Sequence, residues 1–188
     1  MLYVRALNPD AWMNVITGDT DPLDSDVISD LSTSNHELSV WEVDDNLSDM
    51  DDVAVALALT RDEVRDLTLV KLSPIHMRTS KYYNEDLDIK EQPGKTVFDK
   101  MIDRHKNFML PSIWQMGFLA EYISSLITND FESNCVIYDS TRLLDLINKA
   151  VDSGELDPDS LKKRGKWNKK AKALRTEASG SAKDPGIN

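Results

Sequence analysis

Apolar and polar residues alternate or recur along this chain in patterns that predict an α+β fold: a small N-terminal sheet with a crossover helix, then a helical C-terminal half and a basic tail. Leu2-Tyr3-Val4-Arg5-Ala6-Leu7 reads as a first strand, closed by the turn signal Asn8-Pro9-Asp10. The acidic, turn-rich run from Gly18 to Asp26 reads as a surface loop. In His36–Val43, period-two spacing puts Leu38 and Val40 on one face and Trp41 and Val43 on the other. A strand apolar on both faces is an interior strand covered on each side, which also predicts a buried Trp41.

Asp44-Asp45-Asn46 ends that strand, and Ser48 followed by Asp51 fits a capping box. The helix it opens carries Met50, Val53, Ala54, Leu57, Thr60, Arg61 and Val64 near one stripe. Asp49, Asp51 and Asp52 crowd its first turn, where negative charge meets the positive end of the helix dipole. Leu67–Leu72 is the next strand, stopped by Ser73-Pro74. Strand, helix and strand in that order form a candidate βαβ unit.

Residues 78–95 are polar and aperiodic and read as a linker or excursion. Three helices are expected after it. Thr96 with Asp99 fits the cap of the first, which carries Val97, Phe98, Met101, Ile102 and His105 at helical spacing. Pro111 opens the second, rich in Trp114, Met116, Phe118, Leu119, Ile123 and Ile127 and apolar around much of its circumference. The third runs from Ser140 through Leu143, Leu144, Leu146, Ile147, Ala150 and Val151 to Gly154. The long apolar stripes of the last two predict that they pack on each other. Near Asp157-Pro158 a basic helix begins, with Trp167, Ala171 and Leu174 at helical spacing among Lys162, Lys163, Arg164, Lys166, Lys169, Lys170, Lys172 and Arg175; residues 176–188 resemble a disordered end. The domain expectation is one acidic α+β domain over 1–160, with a possible sub-boundary near 78–95, and a basic helix and tail over 161–188.

Charge changes this picture more than composition does. The chain has 188 residues, 40% of them hydrophobic, enough for a core. Its formal net charge of -11 is unevenly spread: residues 1–70 hold 16 acidic against 3 basic side chains, and residues 161–188 hold 2 acidic against 9 basic. The lone Cys135 excludes an internal disulfide framework, and the first residues lack a basic region followed by an apolar run; a cytoplasmic, non-membrane protein is the expectation.

Candidate chemistry is thin. Gly94-Lys95-Thr96 resembles the end of a phosphate loop, but Ile89 stands where that loop needs its first glycine, so a helix start is the better reading. His36 has Val40 four residues on, not a second histidine, and the acids from Asp19 lack the sixth-position glycine and twelfth-position glutamate of a calcium loop. Asp88-Ile89-Lys90 matches half of a metal-dependent nuclease centre, whose further carboxylates must come from neighbouring strands. Cys135 reads as a small buried apolar residue; as a nucleophile it needs a base such as His76 or His105, and His105 reads as a core-edge histidine. No catalytic residue, metal or cofactor is assigned.

These observations favour a non-enzymatic protein–protein interaction protein, antitoxin- or immunity-like, or an accessory subunit of a microbial stress or defence system. An acidic surface suits a partner with a basic surface, such as a nuclease, and steers its capture. The alternative is a nucleic-acid-associated regulator that grips phosphates with the 162–175 segment. A small metal-dependent enzyme using Asp and Glu ranks third.

Overall fold

The computed structural model describes residues 1–18, 25–32, 35–79 and 87–161. The basic segment Lys162–Arg175, with Trp167 and Leu174, lies outside them. Six strands form one sheet: β1 (Leu2–Leu7), β2 (Glu37–Val43), β3 (Leu67–Leu72), β4 (Ile89–Glu91), β5 (His105–Met109) and β6 (Cys135–Tyr138), in the order β4-β5-β2-β1-β3-β6. Every neighbouring pair is antiparallel. β2 and β3 both run against β1 and are therefore parallel to each other, linked by α3 (Met50–Ala58). The expected βαβ unit thus exists, with β1 inserted between its strands.

Helices cover both faces of the sheet, as the two apolar faces of the central strands require. Against the side carrying Val4, Trp41, Val43, Leu67 and Leu69 lie α3, a 3-10 turn (Asp99–Arg104), α7 (Ser140–Asp152) and α8 (Pro158–Leu161). Against the side carrying Tyr3, Leu7, Leu38, Val40, Val70 and Leu72 lie α1 (Pro9–Thr17), α2 (Ser25–Leu31), α4 (Pro74–Thr79) and α5 (Ile113–Asn129). A short α6 (Phe131–Asn134) leads into β6. Trp12 is fully buried, and its Nε1 donates to Asp30 Oδ2 at 2.8 Å. Arg5 also reaches Asp30, donating to its backbone carbonyl at 2.5 Å, so one α2 residue ties α1 and α2 to the sheet.

Several elements differ from expectation. The segment after Thr96 is a 3-10 turn followed by strand β5, not an α-helix. Strand wins there because β5 pairs with β2 over five residues and with β4 on its other side, satisfying backbone groups that a short helix leaves open. His105 is accordingly a strand residue. The C-terminal half is not purely helical, since it supplies β4, β5 and β6. Residues after Asn8 form α1, with Pro at its start and Gly18 at φ 76 ending it. The Ser48–Asp51 capping box does not form: Asp49 is the N-cap and its Oδ1 accepts from Asp44 N instead.

α5 and α7 do not pack together. They sit on opposite faces, because β6, between them in the chain, joins the sheet edge and sends the chain across it. α7 buries Leu143, Ile147 and Ala150 beside α3, leaving Leu146 half-buried at the margin. Trp41 is buried, as its strand pattern requires.

Candidate functional site

Two surface features remain once the core is accounted for, one on each face of the sheet. The first is the outer side of α5. Ser112 caps this helix and forms a capping box with Gln115, and Leu119, Ala120, Ile123 and Ile127 turn inward. The same helix presents Ile113, Trp114 and Phe118 outward, 64%, 75% and 38% exposed. Gly117 stands among them, and a Cβ added there meets nothing within 4 Å. A mid-helix glycine costs about 1 kcal/mol relative to alanine, and here no internal contact requires it. Gly117 lines a hollow of about 310 Å³ together with Ile28, Ile113, Trp114, Phe118 and Glu121.

The three helices around this hollow carry acidic side chains. α1, α2 and α5 contain Asp10, Asp26, Asp30 and Glu121 and not one Lys or Arg. An apolar hollow therefore lies among helices that carry acidic side chains, with Glu121 on its wall, while Arg5 of β1 pairs with Asp30 within the same layer.

The second feature is a polar cleft of about 370 Å³ on the opposite face, over β2 and β5. β2 contributes Glu37, Ser39 and Trp41, and β5 contributes His105 and Asn107, each at register positions that bring them side by side. Gln92, Pro93 and Lys95 from the connection after β4, with Asn35, Thr60 and the apolar Leu57, complete the walls. Asn107 is 3% exposed; its Nδ2 donates to Glu37 Oε2 at 2.9 Å and to Gln92 Oε1. Two acceptors on that nitrogen fix the amide orientation, and Oδ1 is left without a hydrogen-bond partner. An unmet buried acceptor costs about 1–3 kcal/mol. Glu37 Oε1 meets Lys90 Nζ at 2.5 Å, which holds the carboxyl below its ordinary range.

His105 lies 5.1 Å from the Trp41 ring, edge to face, and its Nδ1 is 2.8 Å from the Gln92 carbonyl. A carbonyl oxygen only accepts, so Nδ1 carries the proton. Burial, then the nearby Lys106 and Lys95 charges, lowers the pKa of the ring although the Gln92 contact opposes them. The neutral ring therefore keeps a lone pair on Nε2. Gly94 makes this geometry possible: a Cβ there comes within 2.8 Å of the Trp41 ring and 3.2 Å of His105 Cβ.

The remaining sequence motifs resolve into packing. In Gly94-Lys95-Thr96, the Thr96 hydroxyl donates to the Ala56 carbonyl at 3.1 Å and accepts from Phe98 N, so it ties a loop to α3 and caps no α-helix. Lys90 is ion-paired with Glu37, and among the described residues no group of three His, Cys, Asp or Glu is placed to hold a metal. Cys135 is buried, its thiol pushed up to about 11 by desolvation. His105 lies on the other face of the sheet with three strands between, so it does not serve Cys135 as a base. A hollow of about 640 Å³ near Asn8–Asp10 and Arg61–Asp66 is lined by charged side chains, among them Arg65, paired with Glu63, and Asp66, which accepts from the Ser140 amide. Among the described residues no helix is long and apolar enough to cross a membrane.

Sequence reasoning missed both features. Ile113, Trp114 and Phe118 read as core because the helix is apolar all round, and Gly117 was the available signal that one side is not packed. The cleft residues are scattered from 35 to 107 and come together only through strand register. Comparison with known proteins returns no matching family model and no significant similarity to a curated protein or a solved structure.

Proposed function

We propose that this protein is a non-enzymatic docking protein whose partner is another protein, one with a basic surface that presents an apolar side chain to the α5 hollow. The observation that carries the reading is Trp114, 75% exposed beside Gly117 among helices α1, α2 and α5, which carry acidic and no basic side chains, while Trp12 and Trp41 are buried in the core. Exposed Trp flanked by apolar residues is the side chain most often found dominating an interface once water is excluded from it. The acidic surround supplies steering toward a positive partner. A nuclease or other enzyme of nucleic acid has such a surface by necessity, so an antitoxin- or immunity-like role is the specific form of this proposal.

The test is isolation of the native protein with its partner, followed by titration of that purified partner. A stoichiometric protein with a basic surface is expected, bound more weakly at high salt. Trp114→Ala should weaken the complex by at least about 2 kcal/mol, the size of a hot-spot truncation, without lowering the melting temperature. Recovery of the protein free of any stoichiometric partner, or a complex indifferent to Trp114→Ala, overturns the proposal.

A further inference from the structure

We propose that the α5 hollow is filled, before any outside partner arrives, by the basic segment 162–175 of a second copy of this chain. The proposal rests on the docking reading of α5 and adds its regulation: self-association holds the surface until a partner displaces it. The hollow selects an occupant that is both cationic and aromatic. Its apolar wall is open to solvent, with Ile113 64%, Trp114 75% and Phe118 38% exposed. A Cβ on Gly117 meets nothing within 4 Å, so a bulky side chain has free approach. Glu121, on the same wall, engages no basic side chain among the described residues. α1, packed against α5, adds exposed Met13 and Ile16 to this layer. An open apolar wall beside an unpaired carboxylate is complementary to a large apolar side chain flanked by cations.

Segment 162–175 has that character. It carries eight basic and no acidic side chains, with Trp167, Ala171 and Leu174 at i, i+4 and i+7. Lys163, Arg164 and Lys170 stand three or four positions from Trp167, the spacing that shares one helical face. A cation beside the indole is what Glu121 calls for when the ring enters the hollow. Where the described chain ends decides that the contact is between copies. α8 ends at Leu161, buried in the core on the α3 and α7 side of the sheet, and α5 lies against the opposite side. The six residue steps from Leu161 to Trp167 span at most about 20–22 Å. Two helix layers with the sheet between them measure roughly 25 Å straight through, and the chain must go round an edge, which is farther. The hollow of a second copy is under no such limit. Two of these contacts related by a two-fold axis close a dimer.

The experiment uses the full chain in sedimentation velocity, with mixing of variants. The parent protein should sediment as a dimer at low salt and as a monomer at about 1 M NaCl, where charges are screened within about 3 Å. Trp114→Ala removes a wall of the hollow, and Trp167→Ala removes the side chain that enters it. Each should weaken self-association at least about tenfold, with the melting temperature of the exposed Trp114 variant unchanged. A one-to-one mixture of the two variants retains one intact hollow and one intact segment, so it should form a heterodimer that neither variant forms with itself. A parent monomeric at low salt, association indifferent to either substitution, or a mixture no better associated than its components overturns the inference. Titration with the purified outside partner separates this inference from the docking reading, since Trp167→Ala should bind that partner at least as tightly as the parent does. A partner bound through Trp114 by a protein that never self-associates sinks the self-contact alone. Self-association through Trp114 with no outside partner upholds the contact and sinks only the docking reading.

Discussion

Gly94→Ala puts one methyl group against the end of a buried indole, and the structure sets its cost. The Gly94 backbone is not in the left-handed region and its N–H donates to the Ile102 carbonyl at 2.8 Å, so alanine meets no conformational objection. Loss of glycine's freedom in the unfolded chain favours the variant by about 0.4–1 kcal/mol. The new Cβ, however, stands 2.8 Å from the Trp41 ring and 3.2 Å from His105 Cβ. Carbon atoms rest about 3.5–4.0 Å apart, so the ring must yield by roughly 0.7 Å or more. Trp41 is 3% exposed and packed among α3 and the 3-10 turn, which leaves little room for that movement. Overpacking of this kind costs about 1–3 kcal/mol, and the balance is roughly 1–2 kcal/mol of destabilisation. For a chain of this length that corresponds to a fall of roughly 2–8 °C in melting temperature, measured by circular dichroism or calorimetry. A melting temperature equal to or above that of the parent protein would refute the claim that Gly94 is required by its close approach to Trp41.

Gly117→Ala is the contrasting case: nothing lies near the new Cβ, so it should stabilise the helix by up to about 1 kcal/mol while weakening partner binding, and calorimetry paired with titration reads both. Trp114→Phe should remove a strongly acrylamide-quenchable part of the tryptophan fluorescence, whereas Trp12→Phe and Trp41→Phe should not. The lowered pKa of His105 means the unfolded chain takes up its proton first; stability from this group is present above about pH 6.5 and is lost as pH falls below it. Melting temperature should therefore decline from pH 7 to pH 5, less steeply in His105→Phe. Cys135, buried and with its thiol pushed up to about 11, should react with thiol reagents at pH 8 only as fast as the protein opens, so denaturant should accelerate labelling by orders of magnitude.

The α+β class and the main strands were legible because their cause is local. Leu38, Val40, Trp41 and Val43 alternate in a way that only a strand covered on both faces tolerates, and Leu67–Leu72 repeats the message. α7 was legible from its single apolar stripe and from Gly154. Period-based reasoning failed where the deciding energy is not local. β4, β5 and β6 are short; β5 and β6 pair with strands far away in the chain, β2 and β3, and β4 is held only by β5, so nothing in their own residues announces them. Helical spacing at Val97–His105 was overridden by the pairing of β5 with β2. α5 carried apolar residues all round, and the sequence alone did not say which of them face out. The sheet settled that by admitting Leu119, Ile123 and Ile127 and leaving Ile113, Trp114 and Phe118 uncovered. Charge asymmetry was a property of the chain itself and pointed to a binding role. The cleft of Glu37, His105 and Asn107 came only from tertiary structure, because antiparallel register placed residues 70 positions apart within one hydrogen bond of each other.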